Sequence, residues 1–226
     1  NKDIKEINKL NLNELGIYIN FNEENILEAN AIIIGPKDTP YENGVLYFRI
    51  RFPTNYPFSP PKVSYISSSK YRIHPNLYVG KSHNNFEGKV CLSILNTWSG
   101  PKWTTIMHIG CVLLSMQSLL DNNPLQNEPG FEKEQGSRNK KYNQIVHYDT
   151  INHLILNNCF RIPSEFGCFE SIIKEHCFRN KKEIKNKITE LFKNHSEEIF
   201  VYLDVYNLSL NINYKELINK FDNLFK

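Results

Sequence analysis

Cys91 lies in the run Lys89-Val90-Cys91-Leu92-Ser93-Ile94-Leu95, downstream of His74-Pro75-Asn76 and upstream of Trp98 and Trp103. A thiolate is the strongest side-chain nucleophile near neutral pH, and a free thiol with a pKa of about 8.5 is already ionised in small part. Two kinds of chemistry are open to such a residue. A cysteine hydrolase needs a histidine to take the thiol proton. His74 and His83 are the nearby candidates, and neither stands in a protease signature or beside a group that would orient it. An acyl carrier has the opposite need. It must hold a thioester, pass it to an amine and not lose it to water. That favours a shallow site without a strong base, and a donor for the oxyanion formed during attack. Asn76 can supply that N–H, an interaction worth about 3 kcal/mol in hydrolases. The same amide can brace its own loop. The grouping points to thioester chemistry.

The surrounding elements follow from hydrophobic spacing. Asp3-x-x-Glu6 resembles a capping box, with Ile4, Ile7 and Leu10 on one helical face and Lys2, Lys5 and Lys9 on the other. Ala29 to Ile34 is a compact apolar run closed by Gly35-Pro36. Val45 to Phe52 alternates, with Leu46, Phe48, Ile50 and Phe52 opposite Val45, Tyr47, Arg49 and Arg51, which predicts a half-buried antiparallel strand. Lys62 to Ser67 reads as a further strand. Four prolines in the nine residues 53–61 predict a rigid, extended connection that presents Phe58 as a contact point or as a cover for the core edge.

After Cys91, Thr104 or Thr105 is expected to cap a helix running to about Leu120, with Ile106, Ile109, Leu113, Met116 and Leu120 as its apolar stripe. Asn139 to Asn157 reads as a second helix with Tyr142, Ile145, Val146, Ile151, Leu154 and Ile155 inward. From Asn158 the composition shifts. Phe166, Phe169, Ile172 and Ile173 predict another helix, Lys181, Lys182, Lys185 and Lys187 a wet helix face, and Tyr214 to Phe225 an amphipathic helix that must pack on something larger. The order is α+β with an antiparallel sheet.

The 226 residues, 40% hydrophobic and 23% charged, suffice for a real core. A net charge of +3 does not argue for nucleic acid. No apolar run approaches the roughly 20 residues of a membrane span, and the charged opening residues carry no secretory pattern. Neither a membrane nor a nucleic-acid partner is therefore expected. The five cysteines are odd in number and widely spaced, which argues against a disulfide framework and for a reducing compartment, cytoplasmic and/or nuclear. Cys159, Cys168, His176 and Cys177 fit no standard zinc template, so the three cysteines read as buried or idle thiols and no metal is expected.

Several segments taken together resemble the catalytic domain of ubiquitin-conjugating enzymes. They are Gly35-Pro36-x-Asp38-Thr39-Pro40-Tyr41-x-x-Gly44, Phe52-Pro53-x-x-Tyr56-Pro57-x-x-Pro60-Pro61, His74-Pro75-Asn76, Val90-Cys91-Leu92-x-Ile94-Leu95, Trp103 and Leu119-x-x-x-Asn123-Pro124. They stand in family order over about residues 3–157. Thr97 to Pro101, Asn127 to Glu132 and the long carboxyl-terminal extension are most similar to the Z-type branch, which is charged by a non-standard activating enzyme.

The resemblance implies a four-stranded antiparallel sheet flanked by helices over residues 1–157, with a helical extension over 158–226 packed on it. It implies that Cys91 takes ubiquitin or a ubiquitin-like modifier from an activating enzyme as a thioester. The acceptor would be a substrate lysine or a ligase cysteine, with ATP used by the activating enzyme and no cofactor on this chain. Asn76 would steady the loop and the oxyanion, with His74, Ser93, Asn123 and Glu128 around the site. Phe58, Thr105 and Ile106 would meet ligases, and Lys2, Lys5 and Lys9 the activating enzyme.

The departures are specific. Thirteen residues, Leu77 to Lys89, separate Asn76 from Val90. The excess over the family loop, roughly Gly80 to Glu87, is polar and placed to gate the site. Ser93 stands where many members carry Asp, leaving Glu128 as the candidate charge. Thr104-Thr105-Ile106 replaces a Ser-Pro-Ala turn. A catalytically inactive adaptor that binds ubiquitin or a ligase is the alternative. Such variants typically lack the cysteine, whereas Cys91 and Asn76 are both present here. A scaffold acting through its carboxyl-terminal region is a third reading.

Overall fold

A computed structural model describes residues 2–80 and 87–226, excepting the side chain of Lys2. Helix α1 spans Lys2–Lys9. Ile7 and Leu10 pack on the core as their spacing requires, but Ile4 is exposed. Asp3 lies inside the helix rather than capping it. Its Oδ1 accepts the Tyr56 hydroxyl at 2.6 Å and the Ile109 N–H at 2.8 Å. A carboxylate on α1 thus satisfies a backbone donor at the start of a second helix, α2 (Ile109–Leu119), where the aligned peptide dipoles favour negative charge. α2 begins later than the threonines suggested, because residues 104–107 close a separate turn that leaves Ile106 80% exposed and outside the apolar stripe.

The main sheet has five antiparallel strands in sequential order: β1 (Ile17–Phe21), β2 (Glu28–Ile34), β3 (Val45–Arg51), β4 (Lys62–Ile66) and β5 (Glu87–Lys89). Two of these go beyond the periodicity reading. β1 is five residues long and pairs Ile17 with Ile33 and Phe21 with Ala29. β5 adds three residues to the edge beyond β4, making five strands rather than four. It brings the far end of the long Asn76-to-Val90 connection back onto the sheet. Gly88 makes this possible, since a Cβ there would lie 1.7 Å from the Tyr78 carbonyl oxygen.

β3 is not half-buried. Its first four residues are buried on both faces. Phe48 meets Tyr65 with ring centroids 5.6 Å apart, and Tyr47 meets Phe166 at 4.6 Å. The Tyr47 hydroxyl donates to the Asn158 carbonyl at 2.8 Å, and Asn158 Nδ2 donates to the Val45 carbonyl at 2.7 Å. Glu165 pairs with Arg49 at 2.7 Å, and its carbonyl accepts from Asn30 Nδ2 at 2.7 Å. Polar alternation described the strand but could not reveal a later segment that covers its second face.

The proline-rich connection is folded rather than extended. Tyr56 N–H bonds back to the Pro53 carbonyl and Phe58 N–H to the Asn55 carbonyl, and Trp103 Nε1 donates to the Pro57 carbonyl at 2.7 Å. The Asn139 helix is α3 (Ser137–Asp149) continued as a π-helical turn over Thr150–Ile155, and all six expected inward residues are buried.

Beyond Asn158 come a 3₁₀ turn (Ser164–Phe169), α4 (Glu170–Arg179) and α5 (Lys181–Asn194). A two-stranded hairpin, β6 (Ile199–Leu203) and β7 (Leu208–Ile212), precedes α6 (Tyr214–Leu224). The extension is therefore not purely helical. Val201, Leu203, Leu208, Leu210 and Ile212 alternate inward while Phe200 and Tyr202 face out. The basic residues of α5 fall on its wet side, and only Ile184 and Ile188 of that helix are buried. The hydrophobic core is continuous from Leu12 to Phe225.

Cys159 and Cys177 form a disulfide across 18 residues, which corrects their reading as idle thiols. Both sulfurs come from the packed junction of the extension with the sheet domain, which sequence spacing alone could not bring together. Among the described residues no cluster of His, Cys, Asp or Glu is placed to hold a metal ion. No helix of the described residues is long and apolar enough to cross a membrane.

Candidate active site

The loop after β4 carries His74, Pro75 and Asn76 and turns tightly on itself. The Asn76 N–H donates to His74 Nδ1 at 3.0 Å, and Leu77 N–H donates to the His74 carbonyl at 3.0 Å. His74 is fully buried, and burial pushes its pKa down to about 3, with the Arg72 charge acting in the same direction. A neutral ring with Nδ1 already accepting a bond is a structural pin for the turn. It is not a base for Cys91, which removes His74 from the hydrolase reading. His83 and the greater part of the expected gating loop, residues 81–86, lie outside the described residues.

Asn76 and Cys91 are locked together by two bonds. Cys91 N–H donates to the Asn76 carbonyl at 2.8 Å, and Asn76 Nδ2 donates to the Cys91 carbonyl at 2.7 Å. The thirteen-residue connection does not displace this pair, because its base is closed like a ladder. Leu77 bridges Val90, and Tyr78 N–H donates to the Lys89 carbonyl at 3.0 Å. On the other side, Thr97 holds the chain after the cysteine: its hydroxyl donates to the Val90 carbonyl and accepts from the Leu92 N–H at 2.9 Å. A cleft of about 640 Å³ runs from Arg51 and Lys62 past Glu87 and Lys89 to Val90, next to the cysteine.

Cys91 itself is not in the open. The residue is 3% exposed, and burial raises its thiol pKa while Lys89 and Arg72 oppose that shift. The sulfur rests mainly protonated and shielded, beside the amide that would serve it.

The other expected residues fall in three places. Ser93 opens the 3₁₀ turn Ser93–Leu95 two residues past the cysteine and carries no charge. Asn123 accepts from Asn139 Nδ2 at 3.0 Å, so it braces the start of α3. Glu128 accepts from the Tyr206 hydroxyl and lies 3.8 Å from Arg72 Nη2, so it is engaged rather than aimed at the sulfur. Phe58 is 78% exposed, and its loop is joined through the Pro57–Trp103 bond to the turn bearing Thr105 and Ile106. Lys5 and Lys9 lie on the exposed face of α1, with Lys9 paired to Glu6 at 2.8 Å, and Lys2 is its first residue. Asp3 ties α1 to Tyr56 and Ile109, so these two surfaces share one mount.

Sequence reasoning missed Arg72, Tyr78 and Tyr206. Arg72 stands two residues before His74, which was the available signal. Nothing in the chain connects residue 206 to it.

The buried histidines set a pH dependence. His74 is pushed down to about 3 and His147, also by burial, to about 4. Above pH 6.5 the folded and unfolded chains are both neutral at these positions. Below it the unfolded chain binds protons that the folded chain refuses, so stability falls with pH until about pH 3. At pH 5 the loss from His74 alone is about 2 kcal/mol. Glu87, held down to about 2 chiefly by its bond from Arg51, adds a further loss below about pH 4.5. Urea unfolding at pH 7 and pH 5 measures it, and equal stabilities would mean that these imidazoles are solvated.

A sequential antiparallel sheet that leads through a His-Pro-Asn turn to a cysteine clasped by the asparagine defines the ubiquitin-conjugating class of protein. The profile of that family, described as ubiquitin-conjugating enzyme, matches residues 1–150, more than half of the chain, and the chain belongs to it. It is 38% identical over 160 residues to ubiquitin-conjugating enzyme E2 Z of Danio rerio, covering 70% of this chain and 46% of that protein. It is 34% identical over 189 residues to a human dual E2 ubiquitin-conjugating enzyme/E3 ubiquitin-protein ligase, covering 77% of this chain and 4% of that one. Among solved structures, the E2 domain of a Toxoplasma gondii ubiquitin conjugating enzyme matches with a TM-score of 0.50 at 25% identity, covering 68% of this chain and 97% of that chain. The chain spans less than half the length of these curated relatives.

Proposed function

We propose that the protein carries ubiquitin or a ubiquitin-like modifier as a thioester on Cys91. The Sγ attacks the carbonyl carbon of the modifier's carboxyl terminus on an activating enzyme. A new C–S bond forms, the old one breaks, and the thiol proton passes to the departing sulfur. In the second step the nitrogen of a substrate lysine, or the sulfur of a ligase cysteine, attacks the same carbon. The Cys91 C–S bond breaks, a proton given up by the attacking group goes to the departing Cys91 sulfur, and an amide or a new thioester results. ATP is consumed by the activating enzyme, and no cofactor is needed here. The reciprocal Asn76–Cys91 bonding carries this reading.

Asn76 Nδ2 keeps a second N–H beyond the one on the Cys91 carbonyl, and we assign it to the developing oxyanion. Asn76→Ala is expected to charge at near the wild-type rate. Its discharge to free lysine should fall about 100-fold, the scale of a lost oxyanion donor. Equal discharge by both proteins would remove the oxyanion role. Ser93 is uncharged and Glu128 is engaged, which supports a ligase cysteine over direct lysine transfer as the natural second step.

Phe58, Thr105 and Ile106 form the ligase surface in this reading, and Lys2, Lys5 and Lys9 the activating-enzyme surface. The location is cytoplasmic and/or nuclear, where a free Cys91 thiol stays reduced, and the Cys159–Cys177 pair is shielded there by its burial. The adaptor reading draws on the low exposure of Cys91 and predicts no adduct at all. Incubation with activating enzymes, ATP and candidate modifiers decides between them: a carrier forms an adduct that disappears on thiol treatment.

A further inference from the structure

The Arg72 guanidinium lies between two rings, 3.7 Å from the centroid of Tyr78 and 4.2 Å from that of Tyr206. Tyr78 belongs to the base of the long Asn76-to-Val90 connection, and Tyr206 comes from the tip of the β6–β7 hairpin, 134 residues further along the chain than Arg72. Arg72 Nη2 donates to the carbonyl of Pro75, the residue preceding Asn76. Its backbone carbonyl accepts from the Tyr142 hydroxyl at 2.8 Å.

The hairpin tip is held in this position. Arg138 of α3 makes a forked pair with Asp204, at 2.9 Å for Nη2 to Oδ2. The Tyr206 hydroxyl donates to Glu128, and its ring packs edge-on against Tyr142 at 6.0 Å. Tyr206 adopts φ 61°, a left-handed backbone that bulky residues rarely take. Such a conformation is kept only where the surroundings over-determine it, and these features cluster at functional sites. Stacking on both faces orients the planar fork of an arginine as it would not orient a lysine.

We propose that Tyr206 is a positioning residue for transfer from Cys91: with Tyr78 it clamps Arg72 against the Pro75 carbonyl and so holds the Asn76–Cys91 pair in register. The carboxyl-terminal hairpin is then part of the active-site frame. This rests on the carrier function above. The Arg72 charge also reaches the sulfur, where with Lys89 it opposes the rise caused by burial. Loss of the clamp should therefore move the ionisation of Cys91 as well as the transfer rate.

The test uses the full chain with Tyr206→Ala and Tyr206→Phe. In single-turnover discharge of the purified thioester to free lysine, Tyr206→Ala is expected to slow about tenfold, a modest share of the effect of losing one oxyanion donor. Tyr206→Phe, which keeps the ring, should stay within about twofold of wild type. Alkylation of Cys91 by iodoacetamide, followed across pH by mass spectrometry of its peptide, should shift its midpoint upward in the alanine variant only. A purely structural loss would lower the melting temperature and leave that midpoint alone.

Wild-type discharge and alkylation in Tyr206→Ala would overturn the proposal. So would a loss in Tyr206→Phe equal to that in Tyr206→Ala, which would assign the effect to the hydroxyl bond with Glu128. Should Tyr206→Ala fail to fold, Arg72→Lys keeps the charge but loses the stacked fork. It should show the same tenfold slowing, and a wild-type rate there would equally overturn the clamp. Absence of any adduct on the wild-type protein would refute the carrier function instead, and the alkylation profiles would still report on the clamp.

Discussion

Cys91→Ala abolishes adduct formation, and Cys91→Ser converts the thiol-labile adduct into a thiol-resistant ester. The expectation follows from bond chemistry. Sulfur is the better nucleophile and leaving group, and its ester exchanges with added thiol, whereas an oxygen ester does not. A serine hydroxyl at the same position is still held beside Asn76, so the ester, once formed, should persist. Neither change should unfold the chain. Cys91 behaves in the core as a small apolar residue, and removing one buried sulfur costs on the order of 1 kcal/mol. The readout is a gel shift with and without reducing agent, beside a melting curve. A thiol-labile adduct persisting in Cys91→Ala would transfer the nucleophile to another position, and Cys111 and Cys168 are the remaining free thiols.

Phe166→Ala is expected to destabilise the whole chain by about 3–5 kcal/mol. Phe166 is fully buried, 4.6 Å from Tyr47 on β3 and 6.5 Å from Phe169 between ring centroids. Its ring covers the second face of the central strand, so its loss leaves a cavity that neither the sheet nor the 3₁₀ turn can close. The Asn158 bonds to Val45 and Tyr47 lie beside that cavity and would open to water with it. Denaturant unfolding followed by tryptophan fluorescence reads the sheet domain, because Trp98 and Trp103 both lie before the extension. The predicted result is a midpoint shifted well downward with an unchanged slope. A loss below about 1 kcal/mol would mean that the segment after Asn158 merely rests on the sheet. For the same reason a chain cut after Asn158 should expose Tyr47 and aggregate rather than charge cleanly.

Much of the site was legible because it is built locally. His74, Asn76 and Cys91 belong to short segments whose bonding partners are near in sequence or joined by a closed ladder. Residue type and spacing therefore pointed to acyl-carrier chemistry. The inward faces of α3 and α6 were legible for a similar reason, since helical periodicity is imposed by the backbone itself. Strand β5 escaped because three residues are too few for alternation to show, and β1, β6 and β7, as short as β4, lack the proline boundary that sets β4 off from its flank.

The amino-acid order by itself determined the candidate nucleophile, its amide neighbour, the α+β order of elements and the family. These depend on covalent neighbours and on a periodicity that any stretch of chain carries alone. Tertiary structure decided what lies over them: the shielded state of the thiol, the engagement of Glu128, the disulfide between Cys159 and Cys177, and the aromatic clamp on Arg72. Each of these is a contact between segments brought together only by burial of the common core. The packing that creates it is a property of the whole surface removed from water, with no trace in local spacing.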